Sequence, residues 1–498
     1  MDKQIPNKWL VLPVIVLAAN FVWRLIDESQ IMRQFPFDFV NDVSSYMAQL
    51  HFLKVCGFLK FCPFWYNGFI AFKFTPPAWY FFTYPLYLLF GDVKIATYAS
   101  MLLIFVLAFA AIWYFGRLFN LSRIKRLAFF LFLFANAISI GNFIRSGRIP
   151  ELFAWLNFVI FAFILLWYKD RPLDKKYLLT IPFLAIIILS HQVVAVLSFV
   201  ALSGLFLIKN MKEKLAIIAS AAAAIAMTSF WLLPYAIGFS NSGVVGHVAT
   251  AELFNFDKLN LPQNIATLIV PIALWVLFYF YWQSHNKSKK ELIFFSPILL
   301  TSALLFFRLT YFVPILKYVY PDPHMVLFLF AGLFMFFKTN FSKSLNFEKL
   351  ISICIIFTAM LSVAISVFYT PGFSQHTVFD AEMLTALNSV NPAEKFLILG
   401  TQKTSYSKAY YAYASTYLGL SSASGWYPEV KDNSYMTRLR SVGPSFDGRT
   451  REEFSRHTSY LNATTIISYY DGCKVLADFG WTEIKSGAVC LYSRADLK

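Results

Sequence analysis

The sequence predicts a polytopic α-helical membrane protein of about 11–12 spans, followed by a C-terminal extracytoplasmic domain of mixed α/β type. Three observations carry this. Of 498 residues, 58% are hydrophobic and only 14% are charged, where an average soluble domain carries about 25% charged side chains. Apolar runs of roughly 17–25 residues, the length that crosses a hydrocarbon core, recur along the first three quarters of the chain. After Tyr369 the composition turns to short mixed elements.

The net charge of +16 does not point to nucleic acid, because the cations are gathered in short gaps between apolar runs. These gaps are "GRLFNLSRIKR" (116–126), "YKDRPLDKKY" (168–177), "IKNMKEK" (208–214), "QSHNKSKKE" (283–291) and "KTNFSKSLNFEK" (338–349). That is the positive-inside pattern of cytoplasmic loops. The spans it separates run over 9–26, 94–116, 127–143, 151–167, 177–191, 193–208, 214–236, 265–282, 292–307, 324–337 and 350–369. Trp9 to Val22 follows Lys3 and Lys8 with no small-residue cleavage site behind it, so the first segment is read as a retained span. With every basic gap inside, 27–93, 142–150, the chain near 191, 238–264, 308–323 and everything beyond 370 fall outside. The expectation is a multi-pass plasma-membrane protein with a cytoplasmic N-terminus. Residues 1–370 form the transmembrane domain, with a large first loop at 27–75, and 371–498 the outer domain. The segment 76–91 has three prolines in 16 residues, which suits a helix at the outer interface; a short true span is the alternative.

In the tail, "EKFLILG" (394–400) and "TTIISYY" (464–470) read as strands and "SKAYYAYASTYLG" (407–419) as a helix stopped by glycine. No phosphate-cradling glycine loop, metal-spaced His/Cys set or nucleophile elbow occurs there. Asn462-Ala463-Thr464 matches a glycosylation sequon. Cys354 lies in a span, whereas the other four cysteines fall outside, where disulfides persist. Proximity predicts the pairs Cys56–Cys62 and Cys473–Cys490, against four unpaired thiols.

Candidate chemistry lies in the outer segments. Val43, Tyr46, Met47, Leu50 and Leu53 make one helical stripe, with Ser44, Ser45, Gln49 and Lys54 mostly opposite, which predicts a helix lying along the outer membrane surface. Asp42 opens it, and the structural reading of that residue is an N-cap. Asp38 stands four residues earlier. In "GNFIRSGRIPELF" (141–153), Arg145, Arg148 and Glu151 offer guanidinium forks suited to phosphate; headgroup anchoring is the alternative. Arg308, Lys317 and His324 are further outer cations, and His191 ends a span at "ILSHQ".

The order of "NDVSSYMAQL", "FTPPAWYFFTYPLYLLFGD" and "RSGRIPELFAW" resembles the GT-C superfamily of membrane glycosyltransferases. There a first span leads to an outer loop with an acidic residue ahead of a juxtamembrane helix. The chain also looks like an archaeal-type group of membrane proteins labelled as related to pyruvoyl-tetrahydropterin synthase. The resemblance covers roughly residues 1–240 and the plan of spans followed by an outer domain. It implies inverting transfer of a sugar from a polyprenyl-phosphate-linked donor in the bilayer to a glycan, lipid or protein acceptor. Asp42, or Asp38 beside it, would be the base, and Arg145 and Arg148 would hold phosphate, with Glu151, His191, Arg308, Lys317 and His324 as further ligands. Many members carry two adjacent acids at the first-loop position; here the stretch is "FDFVND", which speaks against a divalent metal (Mg or Mn) and leaves no cofactor required. The WWDYG signature of oligosaccharyltransferases is absent, which disfavours en bloc glycan transfer to asparagine. A transporter or flippase for lipid-linked glycans is a rival reading, disfavoured because the spans show neither an internal repeat nor charges deep in midspan. A non-catalytic assembly subunit is the third.

Overall fold

The computed structural model describes residues 8–38, 41–239, 249–255, 261–339, 341, 345–400 and 406–494. The chain opens with α1 (Lys8–Glu28) and enters a loop holding α2 (Val43–Val55), a hairpin of β1 (Phe61–Cys62) and β2 (Phe69–Ile70), and α3 (Ala78–Phe90). Next come α4 (Val93–Leu118), α5 (Arg123–Phe134), the short α6 (Ala137–Ser139) with a π-helical turn at Ile140–Arg145, and α7 (Ile149–Lys169). Then follow α8 (Thr180–Ser190), α9 (Gln192–Ile208), α10 (Met211–Phe239), α11 (Leu261–Ser284), α12 (Lys289–Phe306), α13 (Pro321–Lys338) and α14 (Leu345–Tyr369). The tail holds α15 (Val378–Asn388), β3 (Lys395–Ile398), α16 (Ala409–Tyr417), β4 (Ser421–Ser422), α17 (Asn433–Asp447), α18 (Arg451–Tyr460), β5 (Thr465–Tyr469), α19 (Asp471–Asp478), β6 (Thr482–Lys485) and β7 (Val489–Ser493). Two compact units result. One comprises Met1–Glu28, Ser100–Leu232 and His247–Gly372; the other comprises Ser29–Ala99, Leu233–Gly246 and Phe373–Lys498.

The first unit is helical. Each of the eleven expected spans falls on helical chain. Among the described residues six helices, α1, α4, α7, α10, α11 and α14, are long and apolar enough to cross a membrane. A seventh span arises if α5 and the following α6 and π-turn, bent by 50°, count as one. The remaining expected spans are shorter: α8 has 11 residues, α9 has 17, and α12 and α13 have 18 each, and at 1.5 Å per residue α8 reaches only about 16 Å. α7 lies at the centre. Its apolar window is 94% buried, against 22% for α14 and 28% for α10 and α11, so α7 packs on protein while those three keep faces for lipid.

Two polar side chains hold breaks in this bundle. Asn136 accepts at Oδ1 from Ile138 N (2.9 Å) and Ser139 N (3.1 Å) and donates at Nδ2 to Phe132 O and Leu133 O (both 2.9 Å). One amide thus caps the end of α5 and the start of α6, satisfying the backbone groups that the bend exposes. Arg24 on α1 donates to the carbonyls of Ser366, Thr370 (2.7 Å) and Pro371 (3.3 Å), closing the C-terminal end of α14.

The second unit is built on a five-stranded sheet of order β4-β3-β5-β7-β6. β3 runs parallel to both β4 and β5, and β7 runs antiparallel to β5 and β6. The segments expected as strands and helix in the tail coincide with β3, β5 and α16. Edge strand β4 is only two residues long, and the first loop continues the ladder there. Ser422 N donates to Phe64 O (2.8 Å) and Asn67 N to Ser422 O (3.1 Å). Between them Trp65, fully buried, packs edge-on to Phe52 and donates at Nε1 to Tyr411 O (3.3 Å). Gly425 is glycine because a Cβ there would meet the Trp65 side chain at 2.8 Å.

The surface helix expected at 43–55 is corrected by this packing. Ser44, Ser45 and Gln49 are buried along with Val43, Met47, Leu50, Phe52 and Leu53. The tail supplies α16 against one side of α2 and the loop supplies α3 against another. Ser45 is accommodated by donating to Asp42 O (2.7 Å) and bonding the Tyr427 hydroxyl (2.8 Å). For 76–91 length decides: α3 has 13 residues, about 20 Å, which is short of a crossing of about 30 Å.

Replacing Trp65 by Ala empties the socket between α2, α16 and Gly425 at a cost of about 3–5 kcal/mol. Amide hydrogen exchange is expected to accelerate together in 43–70 and in the 395–469 sheet while the α7 amides stay protected; unchanged exchange in the tail would contradict the shared core.

Candidate functional site

The candidate residues fall into both units. In the sheet-containing unit Asp42 stands at the head of α2, half-buried. Its side chain makes no cap hydrogen bond. Asn41 takes that duty, its Oδ1 accepting from Val43 N at 2.8 Å, while the Asp42 carbonyl accepts from Ser45 N (3.0 Å) and Tyr46 N (3.3 Å). The N-cap reading of the Asp42 carboxylate is thereby corrected: an Asn one residue earlier reaches the first-turn N–H. The buried Tyr80 phenol interacts electrostatically with Asp42 and also with Tyr46 and Tyr427. Further along α2, burial and the nearby Lys54 hold the His51 imidazole below its ordinary pKa, and its Nδ1 lies 3.3 Å from the Tyr87 hydroxyl. Asp38 is engaged by the tail. Ser374 Oγ donates to its Oδ2 (2.9 Å) and Ser407 Oγ to its carbonyl (3.4 Å).

In the helical unit the structure assembles a polar chain around Arg148. This guanidinium bonds Asp322, which also accepts from Asn142 Nδ2 at 2.7 Å, and lies 3.9 Å from Glu151 Oε2. Glu151, almost wholly buried, accepts from Trp155 Nε1 (3.1 Å) one turn along α7 and faces His191 Nε2 at 3.9 Å. His191 is the extended residue between α8 and α9, and its buried Nδ1 has no hydrogen-bond partner among the described residues. His324 sits on α13 one turn from Tyr320, whose carbonyl lies 3.0 Å from its Nδ1. Arg148, Glu151 and His191 therefore come together. Asp322, Asn142 and Trp155 join them without having been singled out in the sequence. The "PDPH" stretch offers a signal for Asp322, but an acid in a helix's first turn is also what the helix dipole favours.

The other cations lie elsewhere. Arg145 is buried at the end of the π-turn and interacts electrostatically with Asp27, Glu28 and Arg24. Arg308 donates to Thr267 Oγ1 (2.6 Å) and Asn264 O (3.5 Å) on α11. The ammonium of Lys317 lies over the Tyr318 ring, and its carbonyl accepts from Thr250. Cys56 is bonded to Cys62 and Cys473 to Cys490, and Asn462 is exposed in a turn. Among the described residues no three His, Cys, Asp or Glu side chains converge in a group that could hold a metal ion.

Residues 72–254, less than half the chain, match a family model described as "6-pyruvoyl-tetrahydropterin synthase related domain; membrane protein". No curated protein matches in sequence. Among solved structures, the chain is similar to the Archaeoglobus fulgidus oligosaccharyltransferase in complex with zinc and sulfate, at TM-score 0.54 and 12% identity, covering 91% of this chain and 68% of that one. It is similar to the oligosaccharyltransferase AglB of the same organism in complex with an inhibitory peptide and a dolichol-phosphate, at TM-score 0.54 and 10% identity, covering 96% and 74%. Arabinofuranosyltransferase AftD from Mycobacteria matches at TM-score 0.54 and 13% identity over 99% of this chain, which spans only 40% of AftD. At such identities the likeness is one of fold alone: the chain shares its fold with these membrane transferases.

Arg148→Ala leaves two largely buried carboxylates without their shared cation, and a loss of about 3–5 kcal/mol is expected. The double variant Arg148→Ala/Asp322→Leu is expected to lose less than the sum of the single changes. Thermal unfolding of the four proteins in one detergent measures this coupling; strict additivity would mean that the pair is not energetically linked.

Proposed function

We propose that this protein is a membrane glycosyltransferase that moves a sugar from a polyprenyl-phosphate-linked donor to an acceptor hydroxyl on the extracytoplasmic face of the membrane. The reading is supported by the shared fold with two transferases, one of which is described with dolichol-phosphate and a peptide. The observation that carries it furthest is at Asp42. A carboxylate at the head of a helix is ordinarily used as a cap, and here that use has been transferred to Asn41.

In the proposed reaction Asp42 takes the proton from the acceptor as the acceptor atom attacks the anomeric carbon. The bond between that carbon and the phosphate oxygen breaks, its electron pair leaves with the polyprenyl phosphate, and the configuration inverts. The partly exposed phenols of Tyr46, one turn along α2 from Asp42, and Tyr427, bonded to Ser45, are suited to orienting a polyhydroxyl acceptor. Arg145 and Arg148 are the proposed carriers of the phosphate charge. Arg148 is already held by Asp322 and Glu151, so a donor phosphate would displace or share those carboxylates.

Protein purified into lipid and supplied with polyprenyl-phosphate sugars and candidate acceptors tests the assignment. Asp42→Asn is expected to lower turnover by ~10²–10⁴-fold, the usual contribution of a general base, without a matching loss of stability. Asn41→Ala is expected to cost about 1 kcal/mol of stability through the lost cap while retaining most of the turnover. Full activity in Asp42→Asn would remove that residue as the base, and absence of product with every donor would remove the transferase reading.

A further inference from the structure

We infer that the outer face of the first-loop hairpin, continuous with one face of α3, seats on a lipid surface and anchors the loop to the bilayer. The hairpin is two-sided. Cys62 and Phe69 are opposite one another and buried, whereas the neighbouring pair Phe61 and Ile70 points to the other face, as the period of two requires. Phe61 is 62% exposed and Ile70 41%. The Phe61 ring lies across Gly68, where a Cβ would collide with it and where φ is +98°. The aromatic side chain is thus held outward by the turn rather than folded into the core. The disulfide from Cys62 to Cys56 brings the exposed Val55 to the same neighbourhood.

The apolar face extends onto α3. Phe58 of the loop packs against Phe81, ring centroids 5.2 Å apart. Phe81, Pro85, Leu88 and Leu89 are all exposed, and their i, i+4, i+7, i+8 spacing makes them one stripe of the helix. A soluble surface rarely leaves so many large apolar side chains contiguous.

Two features identify the occupant as lipid. Only Gly91 and Asp92 separate α3 from α4, a 26-residue apolar helix long enough to span. At about 3.8 Å per residue the exposed end of α3 lies within one or two helical turns of the point where α4 enters the membrane. The apolar face is also accompanied by exposed cations, Lys60 beside Phe61 and Lys54, whose ammonium lies over the Tyr87 ring of α3. Lysines flanking apolar side chains suit an anionic headgroup layer.

The full chain in nanodiscs of mixed phosphatidylglycerol and phosphatidylcholine, with p-benzoylphenylalanine placed at position 61, at 89, or at the exposed control position 460, tests the inference. On illumination under non-reducing conditions, lipid adducts are expected at 61 and 89 and not at 460. The yield at 61 is expected to fall in discs of phosphatidylcholine alone and with Lys54→Gln/Lys60→Gln. Absence of lipid adducts at 61 alongside adducts at 89 would overturn the role of the hairpin. Adducts at 61 to a second copy of the chain would overturn it in favour of a protein interface.

Discussion

The sheet-containing unit depends on one junction, the seating of Trp65 and its flanking backbone on the edge strand Ser421–Ser422. A two-residue strand at a sheet edge leaves unpaired N–H and C=O groups, and those groups are satisfied by Phe64 and Asn67. The indole is bonded to Tyr411, 346 residues away in sequence. Closing so long a loop carries an entropic cost that grows only slowly with length, and the buried aromatic area offsets it. Phe35 and Phe37 dock in the same manner: Phe37 lies parallel to Tyr410 and to His376, whose Nε2 is 2.8 Å from Phe35 O. The tail therefore completes the first loop's fold as much as the loop completes the tail's.

That junction sets the surroundings of Asp42. Its helix is enclosed by α16 of the tail and α3 of the loop, so the polar residues Ser44, Ser45 and Gln49 are interior side chains. Tyr80 of the loop, which interacts with Asp42, does so also with Tyr46 of the loop and Tyr427 of the tail. The acidic residue proposed as base is consequently placed by the tertiary pairing of distant segments, and not by its own helix.

The helical unit uses its buried charges sparingly. Arg148 neutralises Asp322 and Glu151 in an interior where either carboxylate alone would be costly. Through them the π-turn, α7 and α13 share one polar network, and His191, at the break between α8 and α9, joins it at Glu151. The break expected as an outer gap near 191 is thus structured by this network. Arg148, read as a phosphate ligand, is already committed to protein carboxylates, so the proposed donor binding would be an exchange of partners.

Much of this protein is legible in the sequence because the bilayer imposes length, apolarity and charge placement locally. The helical segments, the basic gaps, the strands of the tail and the nearness of Cys56 to Cys62 all follow from residues within reach of one another along the chain. Asp42 was legible as an acid at a helix start, but whether it caps its helix depended on Asn41 and on a side-chain rotamer that no spacing specifies. The burial of Ser44, Ser45 and Gln49, the recruitment of Asp322 to Arg148, and the Trp65 socket were decided only by the tertiary structure. In each case the partner is distant in sequence, so no local pattern could encode the contact; the stripe on α2 predicted one covered face because periodicity records a helix's own sides and not how many neighbours will enclose it.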